Sequence, residues 1–203
     1  MEYFLATAPH RPLREETIAE FAGVRPNLVK KWVGDLSSIL YHDESADGGV
    51  RVRHLSISDF FSCNDSHSDY QVNLGDANMH LGITCMNTMV EQLRFNICKL
   101  EDSRLANVDI EDLPSRIEEN ISNILQYSCL YWSNHLCSSP RNDDRRLLEG
   151  LRKFFEGLCP LFWIEVLSLM GMVPIGVPSL RRVTSTLAKA RTTLPLSFKI
   201  ILI

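Results

Sequence analysis

The sequence lacks the short motifs that mark the common nucleotide-, serine- and zinc-dependent enzymes. Its 203 residues contain no GxxxxGK[ST] phosphate loop, no GxGxxG fingerprint, no GxSxG elbow and no HExxH pair. The six histidines are scattered along the chain. His67 and Cys63 lie four residues apart, but a surface loop explains this spacing better than a metal site does. The sequence therefore predicts no catalytic residue, no metal site and no cofactor held by this chain.

A secretory signal and a membrane span are also missing. Residues 1–7 contain no basic region followed by a sustained apolar run. The longest apolar stretch, residues 158–173, is interrupted by Glu165 and falls short of the roughly 20 residues that cross a bilayer. The six cysteines form no CxxC pair. We expect a cytoplasmic protein with reduced core thiols and no membrane partner.

Excess positive charge is absent as well. The net charge of -4 and the pI of 5.9 give no overall attraction to nucleic acid, although they are compatible with a local basic patch. A hydrophobic content of 45% is ordinary for a globular chain with its own core. The composition therefore disfavours nucleic acid as the main partner.

Residues 1–62 are typical of one small unit. Helices are predicted over residues 15–22, where Gly23 ends the apolar periodicity, and onward from Pro26, a favourable first helical residue. Strands at 38–41 and 50–53 flank a polar turn, and a short helix at 56–61 follows with Ser56 as its N-cap. Two helices followed by a hairpin are the order of a winged helix.

Residues 63–191 predict a helical bundle or solenoid-like domain. Apolar residues recur at helical spacing over 76–95, 114–136, 144–156, 161–170 and 179–190, with a polar connection at 96–113. Tyr131, Trp132 and His135 share this spacing, and a core role is favoured over a functional cluster. Residues 192–203 predict an irregular tail. Because the tail ends on four aliphatic residues, we expect a truncated or incorrectly predicted gene end.

Four segments carry a resemblance to a known family, and residues 12–41 look like the helical run that leads into the strand in that family. Residues 50–61, VRVRHLSISDFF, resemble the segment that closes the winged helix in NACHT-family STAND NTPases, which include animal NOD-like receptors and fungal incompatibility-type proteins. Residues 92–101, 127–136 and 162–169 are similar to segments that follow the winged helix in mushroom-type (basidiomycete) NACHT proteins. The resemblance covers residues 12–182. Ile57 stands where the family usually has Phe.

The resemblance implies a role for His54. In such proteins the winged helix packs on the nucleotide-binding core, and its histidine senses the diphosphate of bound ADP. The phosphate loop, the magnesium-binding strand and the sensor arginine lie upstream in the family, and this chain contains none of them. The resemblance therefore implies ADP or ATP in an upstream NACHT domain. The alternative is local: His54 ends a strand and caps the next helix without a ligand.

Three functions remain open from the sequence. The first is a non-catalytic regulatory and scaffolding segment whose partners are a NACHT NTPase core, in cis or in trans, and other protein domains. The second is a winged-helix module that binds nucleic acid through Arg25, Lys30, Lys31, Arg51 and Arg53. Acidic residues nearby, Asp35, Asp43, Glu44 and Asp47, oppose it. The third is an enzyme with an unrecognised site, which no feature of the sequence favours.

Overall fold

A computed structural model of the chain describes residues 10–43, 48–54, 56, 57, 59, 73–102, 104–139 and 145–189. The chain divides into two compact units, Met1–Asn78 and Met79–Ile203. The described residues are mainly helical with one small antiparallel sheet, which confirms the predicted fold class at this level. The predicted domain boundary at 62/63, the His67 and Cys63 pair and the tail at 192–203 lie outside the described residues.

Two short helices begin the first unit: α1, Glu15–Ala22, and α2, Pro26–Asp35. Gly23 ends α1 in the left-handed conformation, at φ 65°, which costs glycine little. The N–H of Val24 then donates to the carbonyl of Ala19 at 3.0 Å, as in a Schellman motif. Pro26 occupies the first turn of α2, where a missing N–H is harmless. Both helices are confirmed where the sequence predicts them.

A hairpin follows, formed by β1, Leu40–His42, and β2, Val50–Val52. The strands are antiparallel, and Tyr41 lies opposite Arg51. The predicted strand began earlier, at residue 38, but residues 38 and 39 belong to the turn that follows α2. On its other edge β2 meets Leu13, whose carbonyl accepts from the Val50 N–H at 2.8 Å. Strand β2 is therefore held at both edges.

Six further helices lie along the described chain. They are α3, Leu74–Gln92; α4, Leu113–Asn120; α5, Asn123–Ser138; α6, Arg145–Glu156; α7, Cys159–Leu169; and α8, Gly176–Lys189. Short 3-10 turns occupy Asn107–Asp109 and Val173–Ile175. Within the described residues, no helix combines the length and the apolar character that crossing a membrane requires.

The single helix predicted over residues 114–136 is wrong, because α4 and α5 are separate. Ile121 is extended, at φ -116° and ψ 102°, and its side chain is buried. Ser122 caps α5 by accepting from the Leu125 N–H at 3.2 Å, and its hydroxyl donates to Gln92 at 2.7 Å. Apolar periodicity runs through this break, so the sequence pattern hides it. The contact with Gln92, at the end of α3, is tertiary.

Aromatic rings join three helices of the second unit. Trp132 of α5, Phe154 of α6 and Trp163 of α7 are fully buried, with ring centroids 5.8 to 6.2 Å apart. Aromatic pairs at this separation contribute beyond the apolar area they bury. Trp163 also donates its indole N–H to the carbonyl of Cys129 at 2.9 Å. The predicted core role is confirmed for Trp132 and His135, which are both fully buried.

The approach of Gly49 to residues 12 and 13 leads to a stability prediction. A Cβ on Gly49 would lie 2.6 Å from the Cβ of Pro12 and 3.1 Å from the backbone nitrogen of Leu13. Backbone atoms cannot move aside as a flexible side chain can. Gly49→Ala should therefore lower the free energy of unfolding by about 1–3 kcal/mol, measured by urea denaturation.

Gly34→Ala is the matched control. Gly34 lies within α2, and an added Cβ would meet nothing within 4 Å. Because alanine favours helix over glycine, this change should raise the free energy of unfolding by about 0.5–1 kcal/mol. Equal stability losses in the two variants would contradict a steric cause at Gly49.

Candidate functional site

Arg53 anchors the chain where β2 ends. Its backbone N–H donates to the carbonyl of Ile39 at 2.9 Å, which extends the hairpin ladder by one residue. Its Nε donates to the carbonyl of Ser37 at 2.8 Å, and the guanidinium lies 5.5 Å from the centroid of the Tyr41 ring. A cation at this distance from an aromatic face is attracted by the ring quadrupole. Arg53 therefore fixes the backbone directly before His54.

His54 closes the first turn of a helical segment. Ser56, Ile57 and Asp59 are helical, and the Ile57 N–H donates to the carbonyl of His54 at 3.0 Å. The Ser56 N–H donates to Nδ1 of His54 at 3.2 Å, and the Ser56 hydroxyl lies 2.7 Å from the same nitrogen. A side-chain acceptor for an unpaired N–H of the first turn is what an N-cap supplies.

This geometry changes the prediction for the helix start. The sequence assigns the cap to Ser56, whereas the structure places Ser56 among the helical residues and gives the capping contact to the His54 ring. The local alternative for His54 therefore matches the observed contacts. His54 is nevertheless an exposed residue. Contact with a nucleotide phosphate stays a prediction.

The five basic residues of the nucleic-acid hypothesis fall on two elements. Arg25 precedes α2, and Lys30 and Lys31 lie on it, and all three are exposed. On the hairpin side, Arg51 forms an ion pair with Asp43, and Arg53 makes the contacts described above. Two of the five cations are therefore committed to contacts within the chain.

A closed turn follows α3 in the second unit. Asn96 and Lys99 both have positive φ, at 49° and 54°. The Asn96 side chain accepts from the Leu100 N–H at 2.7 Å and donates to the Leu100 carbonyl at 2.9 Å. Arg116 donates to the carbonyl of Lys99 at 2.8 Å. Asparagine tolerates this backbone region better than most residues, because its short polar side chain bonds locally.

Glu165 of α7 holds this turn. Its two carboxylate oxygens accept from the backbone N–H groups of Asn96, at 3.3 Å, and Ile97, at 3.2 Å. Three residues further along α7, the carbonyl of Ser168 accepts from the Asn107 side chain at 2.8 Å. The segment that the sequence treats as a polar connection is therefore bonded to α7 at two places.

Three of the four family-like segments are bonded to one another in the second unit. Glu165, in segment 162–169, accepts from Asn96 and Ile97 of segment 92–101. Trp163 of that same segment donates to Cys129 of segment 127–136. These three segments, which are far apart in the sequence, thus belong to one contact network.

An apolar face of α7 remains exposed. Leu158, Leu161 and Ile164 recur every three residues on one side, and their side chains are 61%, 61% and 47% exposed. The opposite side, which includes Trp163 and Val166, is buried. Phe95 directly precedes the turn bonded to Glu165 and is 78% exposed. Clustered apolar side chains of this kind are typical of interaction surfaces.

The buried titratable groups of the second unit have structural partners. The hydroxyl of Tyr127 lies 2.7 Å from Nε2 of His135, and both residues are buried. Burial raises the pKa of the Cys85 thiol to about 12, and burial together with Cys85 raises the pKa of Cys129. Such thiols stay protonated at neutral pH and make poor nucleophiles. The described residues contain no group of three or more His, Cys, Asp or Glu side chains arranged to hold a metal ion.

No protein-family model, no curated protein and no solved structure matches this chain. The family membership expected from the sequence therefore stays a prediction.

The role of Glu165 generates a testable prediction. Glu165→Ala removes the acceptor for two backbone N–H groups, so the turn at residues 96–100 should open more often. Hydrogen bonds to a charged group each contribute roughly 1.5–3 kcal/mol. We expect amide exchange at Asn96 and Ile97 to accelerate by at least about tenfold, measured by hydrogen exchange in NMR.

Glu156→Ala serves as its control. Glu156 pairs with Arg152 on the exposed surface of α6, and such pairs contribute little to stability. Exchange at Asn96 and Ile97 should be unchanged in this variant. Unchanged exchange in Glu165→Ala as well would show that the carboxylate does not hold the turn.

Proposed function

We propose that this chain is a non-catalytic regulatory and scaffolding segment of a NACHT-type STAND signalling NTPase. It works with a NACHT core, in cis or in trans, and couples the nucleotide state of that core to other protein domains. The nucleotide, ADP or ATP, is held by the core, because this chain has no phosphate loop. We place this work in the cytoplasm.

The observation that carries the proposal is the position of His54. The family-like segment VRVRHLSISDFF puts a histidine between a strand and a helix. In the structure, Arg53 anchors the backbone before that histidine, Ser56 engages one side of its ring, and the ring is exposed. An exposed histidine on an anchored stretch of backbone is suited to hydrogen-bond a group on a neighbouring domain.

The arrangement of the first unit supports a winged helix. Helices α1 and α2 are followed by the β1–β2 hairpin, in the predicted order. An isolated bridge between Leu13 and Val50 adds a backbone pairing on the far edge of β2.

Two features of the second unit support a scaffolding role. The contact network through Glu165 and Trp163 joins the three family-like segments to one another. The face formed by Leu158, Leu161 and Ile164 offers apolar surface for interdomain contact. Neither feature involves a reactive side chain, and both suit a role in interdomain contact better than a catalytic role.

In such a partnership His54 would donate a hydrogen bond to a phosphate oxygen of ADP. A hydrogen bond to a charged group contributes roughly 1.5–3 kcal/mol, which corresponds to about 10- to 150-fold in affinity. One bond of this strength cannot offset the cost of association by itself. The chain alone should therefore not retain ADP, whereas the chain joined to its core should.

The experiment uses the full chain fused behind a matching NACHT core that carries a phosphate loop. We expect His54→Ala to accelerate ADP release about 10- to 100-fold, measured by stopped-flow displacement of a fluorescent ADP analogue. Lys30→Ala, an exposed change on α2, is the control and should release ADP at the wild-type rate. Equal release from the wild type and His54→Ala would rule out the sensing role.

Nucleic-acid binding is the second candidate, and the exposure of Arg25, Lys30 and Lys31 is the observation in its favour. The ion pair between Arg51 and Asp43 counts against it, because it neutralises one cation of the wing. A DNA duplex titrated at two salt concentrations decides the matter. Binding through several phosphate contacts would weaken steeply with salt. We expect no salt-dependent binding, and a steep slope lost in Lys30→Ala/Lys31→Ala would favour this candidate instead.

A further inference from the structure

Two polar groups of Ser56 converge on one nitrogen of the His54 ring. The Ser56 backbone N–H lies 3.2 Å from Nδ1, and the Ser56 hydroxyl oxygen lies 2.7 Å from it. Both contacts come from a residue whose backbone is already helical. Their directions are therefore set by the helix start as well as by the side chain.

The backbone contact indicates which ring nitrogen carries the proton. An amide N–H can only donate, so Nδ1 must present its lone pair to it. In a neutral imidazole the other nitrogen, Nε2, then bears the hydrogen. A protonated ring would direct an N–H from Nδ1 toward the Ser56 N–H, and two donors would face each other. The observed contacts therefore fit the neutral ring with its proton on Nε2.

We propose that Ser56 is a positioning residue that holds His54 in its Nε2–H tautomer. The ring then presents one neutral donor, Nε2–H, at its other nitrogen, and His54 as a residue is exposed. A donor of this kind selects an acceptor, such as a phosphate oxygen, and rejects groups that can only donate. The identity of that acceptor as ADP rests on the proposed function, whereas the tautomer does not.

Ser56 also limits the rotation of the ring. Ser56→Ala removes the hydroxyl contact and leaves the longer backbone contact to Nδ1. The ring, held from residue 56 by that weaker contact, can then rotate about χ2 and exchange tautomers more readily, and a partner must select one orientation on binding. The hydroxyl contact, at 2.7 Å, is the shorter of the two. Its loss should therefore affect both the tautomer ratio and the affinity for an acceptor.

The first test reads the tautomer in the full chain, without nucleotide. Long-range ¹⁵N–¹H correlation NMR distinguishes a protonated from an unprotonated ring nitrogen, and His54→Gln assigns the signals. We expect a single Nε2–H tautomer in the wild type, a mixture in Ser56→Ala, and recovery in Ser56→Thr, which keeps the hydroxyl. Ser38→Ala, an exposed serine near β1, should leave the spectrum unchanged.

Two results of this test would overturn the inference. One is an even tautomer mixture, or the Nδ1–H form, in the wild type. The other is a His54 spectrum that Ser56→Ala leaves unchanged. Neither result needs a nucleotide, so neither depends on whether the chain works with an NTPase core.

The second test measures ADP release from the fusion protein. Ser56→Ala should accelerate release about three- to tenfold, less than His54→Ala does, and Ser56→Thr should restore the wild-type rate. If only His54→Ala changes the rate, the positioning role fails and sensing stands. If neither variant changes it while the NMR result holds, the proposed function fails and the control of the tautomer by Ser56 stands.

Discussion

The close backbone approach between residues 12–13 and 49–50 is the constraint on which the first unit depends. The Val50 N–H reaches the Leu13 carbonyl only because Gly49 has no side chain to meet Pro12. With β2 held at both edges, the ladder continues to Arg53, whose side chain reaches back to Ser37. The position of His54 follows from this chain of contacts. A short hairpin alone would be marginally stable and would hold the ring poorly.

The second unit depends on helix packing, because its helices are short and several are only weakly amphipathic. Helices of 8 to 19 residues gain most of their stability from packing. The rings of Trp132, Phe154 and Trp163 supply that packing. The carboxylate of Glu165, on α7, accepts hydrogen bonds from two backbone N–H groups in the turn that follows α3. The same helix thus joins the core and fixes the turn after α3.

These two arrangements bear on function in different ways. At His54 a polar side chain is fixed on one edge and exposed on the other, which suits recognition. Along α7 the apolar side chains Leu158, Leu161 and Ile164 are exposed while their neighbours are buried. Under the proposed function, His54 would be the point of contact with the core, and the packed helices of the second unit would support contacts with other domains. The buried thiols and the Tyr127–His135 pair are enclosed in the core of that unit.

The sequence by itself determined the elements whose signals are local. Gly23 and Pro26 mark the boundary between α1 and α2, and the polar turn marks the hairpin, because these residues restrict or release the backbone where they stand. The resemblance of residues 50–61 also predicted a nucleotide-sensing role for His54, which stays a prediction. The basic residues could be named from sequence, but their separation into exposed and paired groups could not.

Tertiary structure decided what depends on distant partners. The break at Ile121 follows from Ser122 reaching Gln92, 30 residues away, and the turn at Asn96 from Glu165, 69 residues away. His54 and Ser56 are only two residues apart, but Arg53, directly before them, is bonded to Ser37, 16 residues away. The orientation of a side chain is set by all of its contacts, including those with residues distant in the sequence. Sequence spacing specifies only which residues are close enough to make local contacts.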